Sequence, residues 1–298
     1  MHHPLNVFVI VLNYNGATTL NACLASIFQS VWTPTTLLRL HVVVVDNAST
    51  DNSFEAARQR FDNVEYIKNS SNVGFAAGNN VGIRFALERD ADYVILVNHD
   101  ARLNSDTIAQ LIHAGIKHKK PSILCPQIFT PSGKIWYAGA EIDWYRMRIV
   151  HRHTQLHGTT IIPTQSATGC ILSIHKDVFA SIGLLNESYF LYYEDADFSF
   201  CAHKHGYDVG VVPTAMAIHH EVSEQDAHKP KKTYWLVLSA LLFFSAHAPW
   251  YYQWIYAIAY PIRKIKNAIM PRDPLLAPNV ADALKDFPQA KKHYVHHC

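Results

Sequence analysis

Five polar clusters carry the side chains able to do chemistry. Asn13-Tyr14-Asn15, Asp46-Asn47 and Asn98-His99-Asp100 each end an apolar run, while Glu194-Asp195 and His219-His220 come later. A carboxylate beside an imidazole can hold a divalent cation, and an isolated carboxylate can take a proton from a hydroxyl. Phosphate-cradling loops are missing: no G-x-x-x-x-G-K-[ST] stretch occurs, and no G-x-G-x-x-G turn follows the first apolar run. A phosphate-bearing ligand therefore needs another counter-charge, and a cation held by Asp100 would supply it. Plainer accounts exist for each cluster. Asp46 can open a turn, Glu194, Asp195 and Asp197 suit a helix N-terminus, and the two histidines can end a strand. Asp100 lies too far upstream to cap the helix after it, for which Ser105 is better placed.

The elements that position these clusters alternate. NVFVIVLN, LHVVVVD, VEYIK and YVILVN are strand-like runs, with helical periodicity between them. Leu20, Cys23, Leu24, Ile27 and Phe28 mark one amphipathic helix. Ser49, Thr50 or Asp51 can cap the next, near residue 53. Gly74, Gly78 and Gly82 share a face of the third, where small residues allow close approach of a backbone or a ligand. Continuous apolar strands separated by helices predict a mostly parallel sheet covered on both faces, with ligands beyond the strands' C-terminal ends. After residue 120 the pattern predicts short strands over 123–129, 135–144 and 146–153. A strand and helix follow, then a helix from Glu194 and strands over 209–212 and 216–219.

The chain has 298 residues, 17% charged and 49% apolar, with a net charge of +2. That composition is globular and makes no case for nucleic-acid binding. The five cysteines (Cys23, Cys125, Cys170, Cys201 and Cys298) form no C-x-x-C pair and are odd in number, which predicts a reduced, intracellular protein. The start lacks the features of a signal peptide. The histidines at positions 2, 3, 293, 296 and 297 suit polar termini as well as metal binding.

Five segments in order, VIVLNYNG, VVVVDNASTDNS, NSSNVGFAAGNNVGI, YVILVNHDARL and YFLYYEDADFSFCAHKHGYDV, resemble inverting family-2 glycosyltransferases of the GT-A fold. The resemblance is strongest to bacterial rhamnosyltransferase-like members that build O-antigen and other surface polysaccharides, and spans about residues 5–223. It implies a Rossmann-like, mostly parallel sheet and transfer of a sugar from a dTDP- or UDP-linked donor. Leu12, Asn13, Tyr14, Asn15, Asp46 and Asn47 would hold base and ribose, with Asp46 accepting from the pyrimidine N–H. Asn72, Gly74, Phe75, Gly78 and Asn80 would line the nucleotide and sugar pocket. Asn98-His99-Asp100 would replace the family's Asp-x-Asp, with Asp100 binding Mg²⁺ or Mn²⁺. Glu194-Asp195 would supply the general base, Asp195 foremost. His220, or else His219, would complete the metal shell. Inversion needs one base, and a cation on the leaving diphosphate removes the need for an acid. This chain departs from the pattern at Asn98, at His99 and at Cys201, where relatives often carry Arg; Arg84, Arg102 or Lys204 are candidate substitutes.

The expected organisation is a catalytic domain over 1–228, with a donor half to about 118 and an acceptor half over 119–228. Residues 229–298 form a C-terminal helical region. Trp136, Tyr137, Trp144, Tyr145, Arg146, Arg148 and Arg152 can stack on sugars and hold phosphates, which suits a lipid-linked glycan acceptor. Ten aromatics fall between Tyr234 and Tyr260, flanked by Lys229, Lys231, Lys232, Arg263, Lys264 and Lys266. The longest apolar stretch is 13 residues, against about 20 for a span. Helices lying in an anionic interface on the cytoplasmic face of the inner membrane fit best, with a packed hairpin or homodimer contact as the alternative. Two other functions stay open: a nucleotidyltransferase of similar fold, and a non-catalytic glycan- or sugar-nucleotide-binding partner.

Overall fold

The apolar runs become the middle of one sheet. In this computed structural model, residues 4–31, 38–220, 230–269, 273–295 and 298 are described. His2, His3, His296, His297, Lys229 and residues 221–223 lie outside them, as does the side chain of Arg263. β1 (Leu5–Asn13) pairs in parallel with β2 (Leu38–Asp46) on one side and β4 (Tyr93–Asn98) on the other. β3 (Glu65–Lys68) extends the parallel edge beside β2. β11 (Ile171–His175) runs antiparallel between β4 and β6 (Ser122–Phe129). β12 (Asp208–His219) is parallel to β6, and the short β5 (Ala101–Leu103) pairs antiparallel with its far end. Between β6 and β11 come four short strands, β7 (Ile135–Tyr137), β8 (Ala140–Asp143), β9 (Arg148–His151) and β10 (Ile162–Pro163).

β-Branched residues fill these strands because both faces are covered. Val7, Val9, Ile10 and Val11 have no exposed surface, and each such burial contributes roughly 1.5–3 kcal/mol. α3 (Phe75–Leu87) lies on β1 and β2, while α4 (Thr107–His118) lies on β6 and β12. α1 (Leu20–Phe28) and α2 (Ser53–Arg60) complete the first half, and α5 (Lys176–Ile182) and α6 (Glu194–Lys204) belong to the second. The architecture is the expected mixed α/β sheet with helical cover.

Four local expectations change. The two strands expected at 209–212 and 216–219 are one, β12, whose register shifts between Val212 and Met216. The N-cap of α4 is Asp106, not Ser105, because residues 105–106 form a turn and the helix starts only at Thr107. The N-cap of α2 is Asn52; Ser49 turns back to Asp46, and Asp51 accepts instead from Ser53 and Ala17. Cys201 and Cys298 are joined in a disulfide across 97 positions, so the expectation of wholly reduced cysteines is corrected. The other three are buried free thiols.

The aromatic-rich tail divides in two. α7 (Pro230–His247) buries Leu238, Leu242, Phe243 and Phe244 against Tyr189, Tyr193 and Ala196, making a second core around α6. α9 (Ala277–His293) adds Ala283 and Phe287 to that core. α8 (Trp250–Ile269) instead exposes Trp250, Trp254, Ile258, Ile262, Ile265 and Ile269 at near-helical spacing. Among the described residues, no helix is long and apolar enough to cross a membrane.

Candidate active site

Register brings the polar clusters together. Asn13 is opposite Asp46 across β1 and β2, and Leu12 is opposite Asn98 across β1 and β4. All three clusters therefore emerge from one edge of three adjacent parallel strands, where open sheets bind ligands.

The first two clusters are braced rather than open. Asp46 is fully buried; its Oδ1 accepts from Asn13 Nδ2 at 2.8 Å and from Ser49 Oγ at 2.6 Å. Its Oδ2 accepts from the Ser49 N–H. Asn47 donates to the Gly74 carbonyl at 2.8 Å and accepts from Asn69 at 2.8 Å. Asn72 Oδ1 accepts from the Gly74 N–H, so the β2 end and the 69–74 loop form one hydrogen-bonded block. Tyr14 stands out at 45% exposure, and Asn15, with a positive φ of 55°, clasps Thr50.

Gly74 must be glycine. Its φ is +87°, and a Cβ there would press on the Phe190 carbonyl, which already accepts from the Phe75 N–H at 2.7 Å. Gly78 packs on Leu12 and Asn47. Asn80, expected in the pocket, points elsewhere: it bonds the backbone of Leu185 in both directions and Glu187 Oε1. Arg84 is paired with the same Glu187 at 2.8 Å.

The third cluster meets β12. Ala101 is opposite His219 in the β5–β12 ladder, which sets the preceding Asp100 beside that histidine. His219 Nε2 donates to Asp100 Oδ1 at 3.1 Å, and the His220 backbone N–H donates to the Asp100 carbonyl at 2.8 Å. Burial works against the Asp100 carboxylate, but the His219 hydrogen bond and nearby imidazoles hold it below its ordinary 3.8. His219 Nδ1 is buried without a hydrogen-bond partner, and the Trp136 ring meets the imidazole edge-on at 4.5 Å. His99 turns its Nδ1 to Thr19 Oγ1 at 2.8 Å, and burial holds its imidazole below 6.5. Gly16 makes room for it, since a Cβ there would lie 2.8 Å from His99 Nδ1.

At the start of α6, Asp195 Oδ2 accepts from the Gly169 N–H at 2.8 Å, and Oδ1 accepts from the Ala196 N–H. The next carbonyl along, that of Cys170, accepts from the Asn98 N–H at 2.9 Å. Residues 169–170 thus tie the Asp195 carboxylate to the strand end that carries Asp100. Burial pushes the Asp195 carboxyl up from 3.8, an effect opposed by the backbone donors. Glu194 is buried, its Oε2 has no partner, and desolvation with the neighbouring Asp195 lifts it well above 4.5.

Gly16, Thr19 and Gly169 are parts of this site that sequence reasoning did not place there, and Trp136, expected to stack on an acceptor sugar, meets His219. Only Gly16, next to Asn13-Tyr14-Asn15, carried a local signal. From the segment expected to meet the acceptor, Trp144 packs on Phe200, Phe243 and Phe244 in the second core. Arg146 and Arg148 pair with Asp143, and Arg152 lies 3.8 Å from Glu141. Tyr145 remains 70% exposed.

Residues 8–179, more than half of the chain, match Glycosyl transferase family 2. The chain belongs to that family. It is 31% identical over 188 residues to the low-salt glycan biosynthesis hexosyltransferase Agl10 of Haloferax volcanii, covering 61% of this chain and 60% of that one. It is 26% identical over 237 residues to the N-acetylglucosaminyl-diphospho-decaprenol L-rhamnosyltransferase of Mycobacterium tuberculosis, covering 72% and 75%. The dTDP-rhamnosyl transferase RfbF of Shigella flexneri is 23% identical over 255 residues, covering 82% of each. Among solved structures, GalNAc-T7 with UDP, GalNAc and Mn²⁺ aligns at a TM-score of 0.67 and 16% identity, over 99% of this chain and 59% of that one. Residues 1–349 of S. aureus TarS with UDP-GlcNAc align at 0.60 and 16% identity, over 96% and 81%. These structural likenesses identify the fold of this family-2 glycosyltransferase as GT-A.

Proposed function

We propose that this family-2 glycosyltransferase moves a sugar, with inversion, from a dTDP- or UDP-linked donor to a lipid-linked or growing surface glycan. The observation that carries this is the backbone bridge through residues 169–170, which joins the proton-accepting carboxylate of Asp195 to the strand end bearing Asp100. Two relatives are named as rhamnosyltransferases, one for a dTDP-linked donor and one for a diphospho-decaprenol acceptor, and both names support this reading.

Asp100 and His219 fit a divalent cation. Their facing atoms are 3.1 Å apart, close to the roughly 3.0 Å between neighbouring ligands on an octahedral ion with bonds of about 2.1 Å. The carboxylate oxygen suits Mg²⁺ or Mn²⁺, and the imidazole nitrogen beside it shifts the preference toward Mn²⁺. We assign His219, rather than His220, as the histidine ligand because its ring is the one held against Asp100. When bound, the cation neutralises the charge developing on the leaving diphosphate.

The chain's own groups do the rest. Asp195 takes the proton of the attacking hydroxyl, while the Gly169 and Ala196 N–H groups orient its carboxylate. Asn47, Asn72 and Gly74 shape the donor loop. Asp46 acts through Asn13 and Ser49, since both its oxygens are already engaged. Leu12, Tyr14, Asn15, Phe75, Gly78, Asn98 and His99 frame the donor pocket. Residues 1–228 serve as the catalytic unit, and α7 and α9 support α6 from behind.

The exposed face of α8 gives the protein a peripheral seat on an anionic membrane, the cytoplasmic face of the inner membrane in this reading. Trp250 and Trp254 lie on that face, with Lys264 and Lys266 on the same helix. The test is a panel of dTDP- and UDP-sugars with Mg²⁺ or Mn²⁺ and a polyprenyl-diphosphate-linked acceptor. Transfer from dTDP-rhamnose with inverted product is expected; retention of configuration, or no metal requirement, would overturn the reading.

A further inference from the structure

Behind the candidate active site, α6 carries a second constellation. Asp197 Oδ1 accepts from His247 Nε2 at 2.6 Å, from Tyr294 Oη at 2.7 Å and from Tyr189 Oη at 3.1 Å. The Asp197 and His247 side chains are each only 2% exposed. One helical turn further along lies Cys201, bonded to Cys298. His247 and the two sulfurs offer ligand atoms that all lie within 4.8 Å of one another. None of these groups takes part in the glycosyl transfer proposed above.

We propose that, once the Cys201–Cys298 bond is reduced, Cys201, Cys298 and His247 form a binding site for a zinc-class divalent cation. The donor set selects the ion: two thiolates and an imidazole favour borderline-soft, tetrahedral cations over Mg²⁺ or Ca²⁺. The surroundings favour it as well. A carboxylate accepting from one ring nitrogen of a histidine fixes the tautomer and leaves the other nitrogen as a ligand, and Asp197 does this to His247. The two tyrosine hydroxyls satisfy the same carboxylate, so it stays oriented in a buried setting.

The chemistry balances with a dithiol as reductant. The S–S bond accepts two electrons and two protons to give two thiols, while the dithiol is oxidised to its own disulfide. Cation binding then releases the two thiol protons as the thiolates coordinate. The bound ion would clamp α7 and the segment after α9 against α6, the helix that begins with the Glu194-Asp195 pair. The site differs in donor class from the Asp100–His219 pair, so one cation can report on each.

The test is Co²⁺ titration of the full-length protein, reduced with a dithiol and freed of reductant and metal under anaerobic conditions. One Co²⁺ per chain should give a thiolate-to-cobalt charge-transfer band with tetrahedral d–d bands, and Zn²⁺ should displace it. Cys298→Ser and Cys201→Ser should abolish the charge-transfer band. Asp197→Asn should keep it while weakening affinity about 10–100-fold. Far-UV circular dichroism on each variant separates loss of binding from loss of folding. A spectrum showing only oxygen and nitrogen ligation in the folded wild type would overturn the proposal. So would failure of thiol titration to detect Cys201 and Cys298 after reduction.

Discussion

His219 Nε2 donates to Asp100 Oδ1 at 3.1 Å, and the pair is set by the β5–β12 ladder rather than by either flanking loop. His220, one position on, contributes its backbone N–H to the Asp100 carbonyl. Asp100→Ala and His219→Ala should each raise the Mn²⁺ concentration for half-maximal activity at least about tenfold, the loss expected even for outer partners of a ligand. His220→Ala should change it less than about threefold. A metal titration of initial rates decides between the two histidines.

Asp195 is held by two backbone donors and needs no side-chain partner for orientation. Asp195→Asn keeps the shape and removes the proposed base. Its kcat should fall about 10²–10⁴-fold, with donor affinity by calorimetry unchanged within about threefold. Full turnover in this variant would remove Asp195 from the mechanism.

Glu194 sits well above its ordinary 4.5 because burial and Asp195 disfavour its charge. A carboxyl raised in the folded state contributes its full stability below the unfolded pKa and loses it as pH rises through the folded value. Glu194→Gln removes that loss. Its melting temperature should match wild type near pH 4 and exceed it increasingly toward about pH 8. A thermal-shift series across this range measures the gap, and a gap that narrows with rising pH would contradict the stated cause.

Trp250, Trp254 and Ile258 are exposed and do little for the fold. Replacing all three by Ser should weaken co-sedimentation with anionic vesicles at least about tenfold, given roughly 1.5–3 kcal/mol per fully buried large apolar side chain. The melting temperature should move by less than about 2 °C. Deleting residues 233–298 is the poorer experiment, because it also removes the α7 side of the second core.

Gly74→Ala puts a Cβ into the Phe190 carbonyl at φ +87°. The expected cost is about 1–3 kcal/mol, visible as a melting temperature several degrees lower, with KM for donor raised. Unchanged stability would mean that the 190 loop yields without cost.

The strands and their polar ends were legible because continuous β-branched runs stop at asparagines and aspartates, a pattern local to a few residues. Asp100 stood out for the same reason, and Asp195 through the acidic YEDADF stretch that carries part of the family resemblance. Of the partners that complete them, Gly169 was not legible, and His219 was offered only by the resemblance, as the second choice after His220. Gly169 reaches Asp195 across 26 positions and His219 reaches Asp100 across 119, distances at which sequence alone specifies no pairing. Asn80 shares α3 with Gly78, while Gly74 caps that helix from outside it; Asn80 turns to Leu185 because two residues along a helix change the face presented. α7 and α8 are both rich in aromatics, and only packing against α6 separates the buried one from the exposed one. The Cys201–Cys298 bond was hidden by an odd cysteine count that counted three buried thiols with the bridged pair.

Tyr294 and Cys298 reach back to α6 across 97 positions each. On a ribosome adding about 5–20 residues per second, α6 is complete roughly 5–20 s before these groups exist. Over that interval the carboxylates of Glu194, Asp195 and Asp197 share one short helix whose rear wall is still incomplete, since α9 and the segment after it come last. The sheet and the loops at its strand ends can settle first, and the half of the candidate site that carries the proposed base is finished last, as the C-terminal segment docks.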